Sequence, residues 1–317
     1  MRLSREAAPG LAWMRTLLVN VAFVEPEPRD GTWVLVDAGL PGYASAIMRA
    51  ARARFGERPP AAIIITHAHF DHVGSLEALL ATWEVPVYAH VLELPHLTGR
   101  RSYPPPDPTV GGGAFAWSAR LFPRAPIDVS TRVRALPDDG SVPPLPGWRW
   151  WHTPGHTDGH VSLFRDIDRA LVSGDAVITV QQESLTAVLA QSPDLHGPPA
   201  YFTTDWSAAL ASVRDLADLT PNVLVPGHGV PLSGPGLTRG LRRLADTFHR
   251  QVPTHGRYVR TPARAREDGG YDLPPDPFPA AWKRAAGGVA VVSAVAAWAW
   301  QANRRARRRR DQTLAGS

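Results

Sequence analysis

Residues 61–73 read AAIIITHAHFDHV. The run Ala61–Thr66 is apolar and rich in isoleucine, the pattern of a buried strand, and it delivers His67, His69, Asp71 and His72 within six positions. In an extended or tightly turned segment after a strand, the alternate positions His67 and His69 point the same way. Asp71 and His72 then fall on the turn into a following helix. One segment thus offers ligands to two neighbouring metal ions. Four ionisable side chains behind so apolar a run are costly to bury without a compensating cation, so the group reads as a metal site rather than as four satisfied core residues.

Working outward, His156 in TPGHTDGH, Asp175 in SGDAV and His228 in PGHG extend the set to seven. Each follows a short apolar or strand-like run and stands beside glycine, at Gly155, Gly174 and Gly227, where the backbone can turn sharply and approach closely. Imidazole and carboxylate suit borderline ions such as zinc, at about 2.0–2.2 Å. The chain has no cysteine, which excludes thiolate ligands and disulfides and leaves the redox compartment unread. The pattern is that of a two-metal hydrolytic centre, with Asp71 expected to steer the nucleophile and pass its proton onward. No GxSxG elbow offers a serine alternative.

The flanking sequence predicts a layered α/β domain. LLVNVAFVE and WVLVDAG form a hairpin around Asp30-Gly31, with Asp37 at a strand end. Helices are expected over Tyr43–Phe55, Val73–Trp83, Asp205–Leu219 and Leu237–Val252, and strands near Val133–Leu136, Trp148–His152, Val161–Arg165, Ala170–Val172 and Asn222–Val225. Residues 99–126 hold Pro104-Pro105-Pro106 and Gly111-Gly112-Gly113, which argue against a regular element, together with Phe115, Trp117 and Phe122. They form either a surface loop pinned by its own aromatic cluster or a lid over a pocket.

These motifs together resemble the metallo-β-lactamase-fold superfamily of hydrolases, over roughly residues 15–250. The resemblance implies an αββα sandwich with the metals at one edge of two packed sheets. It also implies that His67, His69 and His156 hold a first metal, that Asp71, His72 and His228 hold a second, and that Asp175 bridges them. Asp37 matches an early strand-end aspartate that orients ligands. Two zinc ions are expected, with iron or manganese as alternatives. Lactonases of this fold use a nearby tyrosine, for which Tyr201 is the candidate. The segments YPPPDPTVGGG and FPRAPID, and His196–Tyr201, resemble those of small bacterial hydrolases and would flank the pocket; His196 either touches substrate or caps a turn. The expected reaction is cleavage of a small ester, thioester or lactone. The alternatives are a phosphodiesterase or nuclease, an iron-dependent oxidoreductase and a non-catalytic binding module.

Of the 317 residues, 44% are hydrophobic, enough for a large core, and the formal net charge is +5. Residues 281–317 hold eight Lys and Arg against Asp311, so the tail carries +7 and the remainder −2. A slightly acidic body is a poor phosphate-backbone binder, so a small-molecule substrate is expected and no nucleic acid. The organisation expected is a catalytic domain over 1–252, a Pro/Arg/Gly-rich linker over 253–281 and an apolar, Arg-ended segment over 282–317. Ala285–Ala302 carries no charge and would measure about 27 Å as a helix. With no signal peptide expected at the N-terminus, the chain reads as cytoplasmic, and the tail, through residues 285–310, either lies on an anionic membrane surface or forms an ordinary terminal helix. The oligomeric state is left open.

Overall fold

The computed structural model describes residues 4–112 and 114–276. The side chains of residues 114 and 115 and all of 277–317 lie outside the described residues. That takes in the candidate pocket residue Phe115 and the apolar and basic tail.

The first sheet runs in sequence order: β1 (Arg5–Ala8), β2 (Leu11–Thr16), β3 (Val19–Val24), β4 (Val34–Val36), β5 (Ala62–Ile64), β6 (Val87–Ala89) and β7 (Val133–Ala135). Its first half is antiparallel and its second half, from β4 onward, parallel. The second sheet holds β8 (Trp148–His152), β9 (Val161–Arg165), β10 (Ala170–Gly174), β11 (Val223–Pro226) and β12 (Leu232–Ser233), with β10 and β11 parallel. Helices α1 (Ala44–Phe55), α2 (Phe70–Val73), α3 (Leu76–Leu80), α4 (Leu94–Leu97), α5 (Ala114–Ser118), α6 (Leu185–Ala190), α7 (Trp206–Asp218) and α8 (Gly236–Thr247) complete the main body.

Strand periodicity sorts the core into three layers. Val34, Val36, Ala62 and Ile64 face inward against Leu163, Val172 and Val225 of the second sheet. Their alternates Leu35, Ile63 and Ile65 face outward, onto Ile47, Ala51 and Phe55 of α1 and Leu76 and Leu79 of α3. On the other side Phe164, Leu171 and Leu224 pack on Trp206, Val213, Leu237 and Leu241 of α7 and α8. This is the expected αββα sandwich. Both faces of each sheet are covered, so these strands read as continuous apolar runs.

Several elements differ from the expectation. The sheet begins earlier, with β1 and β2, and Leu17-Leu18 is the turn between β2 and β3 rather than strand; Leu17 takes a positive φ of 70°. The helix expected over Val73–Trp83 starts at Phe70 and breaks at Gly74-Ser75. A Cβ on Gly74 would lie 2.4 Å from the Pro41 nitrogen, so glycine is needed where the chain passes that loop. Residues 99–126 do contain a helix, α5.

The stretch expected as a linker packs on the body as far as it is described. Tyr258 and Ala263 are buried, and a short hairpin joins β13 (Arg264–Ala265) to β14 (Tyr271–Asp272). The Arg257 N–H donates to Asp107 and the Tyr258 hydroxyl donates to the Pro105 carbonyl. No helix among the described residues is long and apolar enough to cross a membrane.

Candidate metal centre

The parallel pairs β4–β5 and β10–β11 end at one edge of the sandwich, and the sequence-predicted ligands leave from those ends. Asp37 follows β4, His67 and His69 follow β5, Asp175 follows β10 and His228 follows β11. His156 comes from the loop between β8 and β9, and Asp71 and His72 from α2. All seven residues converge. His67, His69 and His156 form one group, His67, His72 and Asp175 a second, and Asp71, His72 and His228 a third, with the ligand atoms of each within 4.8 Å of one another. Six of the seven are buried, and the Asp71 side chain keeps 16% of its surface exposed.

Asp175 stands in the middle. Its Oδ2 is 3.5 Å from His156 Nε2 and 3.2 Å from His228 Nε2, and its Oδ1 is 3.5 Å from His72 Nε2. Glycine makes room for it: a Cβ on Gly227 would lie 2.0 Å from Asp175 Oδ1. His228 Nε2 also lies 3.4 Å from Asp71 Oδ2.

The outer nitrogens of the rings are held from behind. His72 Nδ1 donates to Asp37 Oδ2 at 2.8 Å, and His228 Nδ1 donates to the Leu18 carbonyl at 2.9 Å. The Thr66 hydroxyl donates to Asp37, so it accepts from His67 Nδ1 at 3.2 Å. Asp37 adopts a left-handed φ of 61°, an uncommon conformation for a non-glycine residue, from which one carboxylate serves both Thr66 and His72. With those N–H groups engaged, the Nε2 atoms of His67, His72 and His228 turn inward. His67 Nε2, His72 Nε2 and Asp175 Oδ1 are buried without any hydrogen-bond partner.

The rings differ electrostatically. Burial holds His67 and His156 well below the ordinary histidine value, and lowers His69 to about 3. Burial acts on His72 and His228 as well, but Asp175, with Asp37 for His72 and Asp71 for His228, outweighs it, and His228 is raised to about 10. Burial works against the ionised form of Asp175, yet His228 and His72 hold its carboxyl well below the usual range.

The candidate pocket residues fare unequally. Tyr201 is buried, and after burial the carboxylates of Glu183, Asp71 and Asp175 raise its pKa further, which keeps its hydroxyl protonated beside the cluster. His196 pairs in a backbone bridge with Ile178 and lies 3.0 Å from Asp194, an arrangement that pins a turn. Trp117 on α5 is 41% exposed. None of Tyr201, His196 and Trp117 lines the cleft beside the metal-type cluster, whose walls are His69, Tyr103, Pro104, Pro105, His156, Thr157, Asp158, Phe202, Thr204 and Tyr271.

Several of these residues escaped the sequence reading. Phe202 lies against His69, with ring centroids 4.6 Å apart, and Tyr103 against its other neighbours at 4.4 Å from His69 and 3.8 Å from His96. Tyr271, from the supposed linker, contacts His96 Nε2 through its hydroxyl at 3.2 Å. His160 is buried, and its Nε2 accepts the Asp175 N–H at 2.9 Å; Nδ1 therefore carries the proton and donates to Thr153. The repeat of histidine at 156 and 160 was a signal for it, although not for its role.

The sequence profile of the metallo-beta-lactamase superfamily matches residues 14–228. The chain is 49% identical over 242 residues to the probable metallo-hydrolase YflN of Bacillus subtilis, covering 76% of this chain and 92% of that one. It is 35% identical over 143 residues to a hydroxyacylglutathione hydrolase of Alkalilimnicola ehrlichii, covering 45% of this chain and 41% of that one. Among solved structures, a beta-lactamase domain protein from Burkholderia ambifaria superposes with a TM-score of 0.54 at 22% identity, covering 78% of this chain and 77% of that chain.

Proposed function

This chain belongs to the metallo-beta-lactamase superfamily, and from that premise we propose a hydrolase that works with two zinc ions on a small ester, thioester or lactone. One observation carries the metal reading. His67 Nε2, His72 Nε2 and Asp175 Oδ1 converge in one buried group and have no hydrogen-bond partner, a costly arrangement that a dication satisfies. The donors are nitrogen and oxygen only, which fits zinc.

In this reading His67, His69 and His156 would hold one ion and Asp71, His72 and His228 the other, with Asp175 the residue available to both groups. Asp37, Thr66 and the Leu18 carbonyl orient the rings from behind. A bound pair of ions would supply Lewis acidity and bring the ionisation of a shared water toward neutral pH. Asp71, the most exposed of the seven, aligns the attacking oxygen and carries its proton toward solvent.

The substrate class rests on the cleft beside His69 and His156. Its walls are mainly aromatic and polar, and no lysine or arginine is among the described residues lining it. Asp158 is the one carboxylate among those residues and no cationic side chain there offsets it, which favours a neutral acyl group over a phosphodiester. The likeness to a hydroxyacylglutathione hydrolase supports a thioester or ester within that class.

Elemental analysis of the purified chain is expected to find close to two zinc ions, with turnover lost on chelation and restored by zinc. A screen of lactones, thioesters, phosphodiesters and β-lactams then tests the substrate class. Phosphodiesters winning by tenfold or more, about 1.4 kcal/mol of transition-state preference, would sink the acyl reading. An iron pair with redox turnover would move the protein to the oxidoreductases.

A further inference from the structure

We propose that Glu93 is a positioning residue of the metal centre: its carboxylate sets the separation between the loop carrying His67 and His69 and the loop carrying His156. The inference rests on the two-metal reading above and extends it to a residue 21 positions from the nearest ligand in sequence, His72.

Glu93 closes the single helical turn Val91–Glu93 after β6 and is only 1% exposed. Its Oε2 accepts the Ala68 N–H at 3.0 Å and the Tyr103 hydroxyl. Its Oε1 accepts the Thr157 hydroxyl at 2.6 Å and the Gly159 N–H at 3.2 Å. Ala68 lies between His67 and His69, and Thr157 directly follows His156. Each carboxylate oxygen is therefore bonded one residue away from a ligand, on opposite sides of the gap where His69 Nδ1 and His156 Nε2 stand 3.0 Å apart.

The surroundings are shaped to this carboxylate. A Cβ on Gly159 would lie 2.8 Å from Glu93 Cγ, so the histidine loop can reach Glu93 only because glycine stands there. Tyr103, which donates to Oε2, also packs its ring between His69 and His96. All four groups on the carboxylate are donors. A glutamine would turn its amide nitrogen against one of the two backbone N–H groups, Ala68 or Gly159, and weaken the tie to that loop at almost constant volume.

The test is metal affinity measured one group at a time, by competition with a chromophoric chelator for zinc. A His228→Ala background leaves the three-histidine group complete, and a His156→Ala background leaves Asp71, His72 and His228. Glu93→Gln is expected to weaken zinc about 10- to 100-fold in the first background. In the second it should change affinity less than about threefold, because neither carboxylate oxygen bonds a residue of α2, which carries Asp71 and His72, or of the loop carrying His228. The visible spectrum of the cobalt-substituted His228→Ala chain should shift with Glu93→Gln, reporting altered ligand geometry. Tyr103→Phe removes one donor and keeps the carboxylate. It should show the same selectivity at smaller size, and it carries the test if Glu93→Gln does not fold.

Equal weakening in both backgrounds, or an unchanged cobalt spectrum with unchanged affinity, would overturn the positioning role. An unsubstituted chain that takes up no zinc would instead overturn the metal reading beneath it, so the two failures are distinguishable.

Discussion

The two histidine groups on either side of Asp175 are equally buried and titrate in opposite directions. His67, His69 and His156 feel Asp175 as well, but burial outweighs it and holds them far below the ordinary value. His72 and His228 suffer the same burial, but Asp175, Asp37 and Asp71 outweigh it. The difference shows that carboxylate placement, rather than depth, decides the state of each ring. Without a cation, the rings of the first group are held neutral, and those of the second carry an added proton that a metal would have to displace.

The comparison depends on Asp175 belonging to both groups, so removing it is the severest test. Asp175→Ala should abolish paired occupancy and lower turnover by about a thousandfold or more, as loss of a shared ligand in a two-metal site implies. Metal content per chain checks this directly. Two tightly held ions in the variant would show that the groups are independent.

Asp71→Asn probes the second group alone. It should lower turnover by about 10²- to 10⁴-fold, the usual worth of a positioned general base, while most of the metal stays bound through His72, His228 and Asp175. If the variant loses all metal, ligation is the main task of Asp71 and its proton-handling role falls.

Acid should separate the groups by a smaller margin. His228, raised to about 10, loses stabilising interactions with Asp71 and Asp175 only as pH rises through that value, whereas a metal must displace its proton at every lower pH. The first group has no such competitor until its rings protonate; for His69 that is near pH 3. Stepwise acidification from neutrality should therefore release the ion of the second group first. Equilibrium dialysis at graded pH reads the order, and simultaneous release of both ions would contradict the electrostatic contrast.

Much of this centre was legible because its chemistry lies in residue types at short spacing after strand-like runs. HAHFDH, GHTDGH, GD and PGH could each be read locally. Glu93 could not, because its partners Ala68, Thr157 and Gly159 lie 25, 64 and 66 positions away and only the fold brings them together. The layers were legible in Ile63-Ile64-Ile65, whose alternation onto two cores follows from strand geometry. β1 and β2 were missed since Arg5–Thr16 has neither a long apolar run nor clean alternation, and both faces of β2 are covered. The stretch 253–276 misled through composition: proline and arginine suggested a linker, but a few anchors, Tyr258, Ala263 and Tyr271, suffice to pack an irregular segment.

That packed segment borders only the first histidine group, through the cleft shared by His69, His156 and Tyr271, and it supplies the mildest test of the contrast. The Tyr271 hydroxyl donates to His96 Nε2, since His96 Nδ1 already donates to the Arg101 carbonyl at 2.9 Å. Tyr271→Phe removes one hydrogen bond and leaves the ring, so it should cost about 1 kcal/mol of stability. Metal content should be unchanged in both groups, because His96 is separated from His69 by the Tyr103 ring. The effect on catalysis should appear in KM by about two- to fivefold rather than in kcat, as expected where a cleft wall contributes binding but no reacting group. Thermal melting, zinc content and steady-state kinetics on one preparation decide it. An unchanged melting temperature with unchanged KM would show that 253–276 neither anchors through Tyr271 nor shapes the cleft, and would return that stretch to the linker its composition suggested.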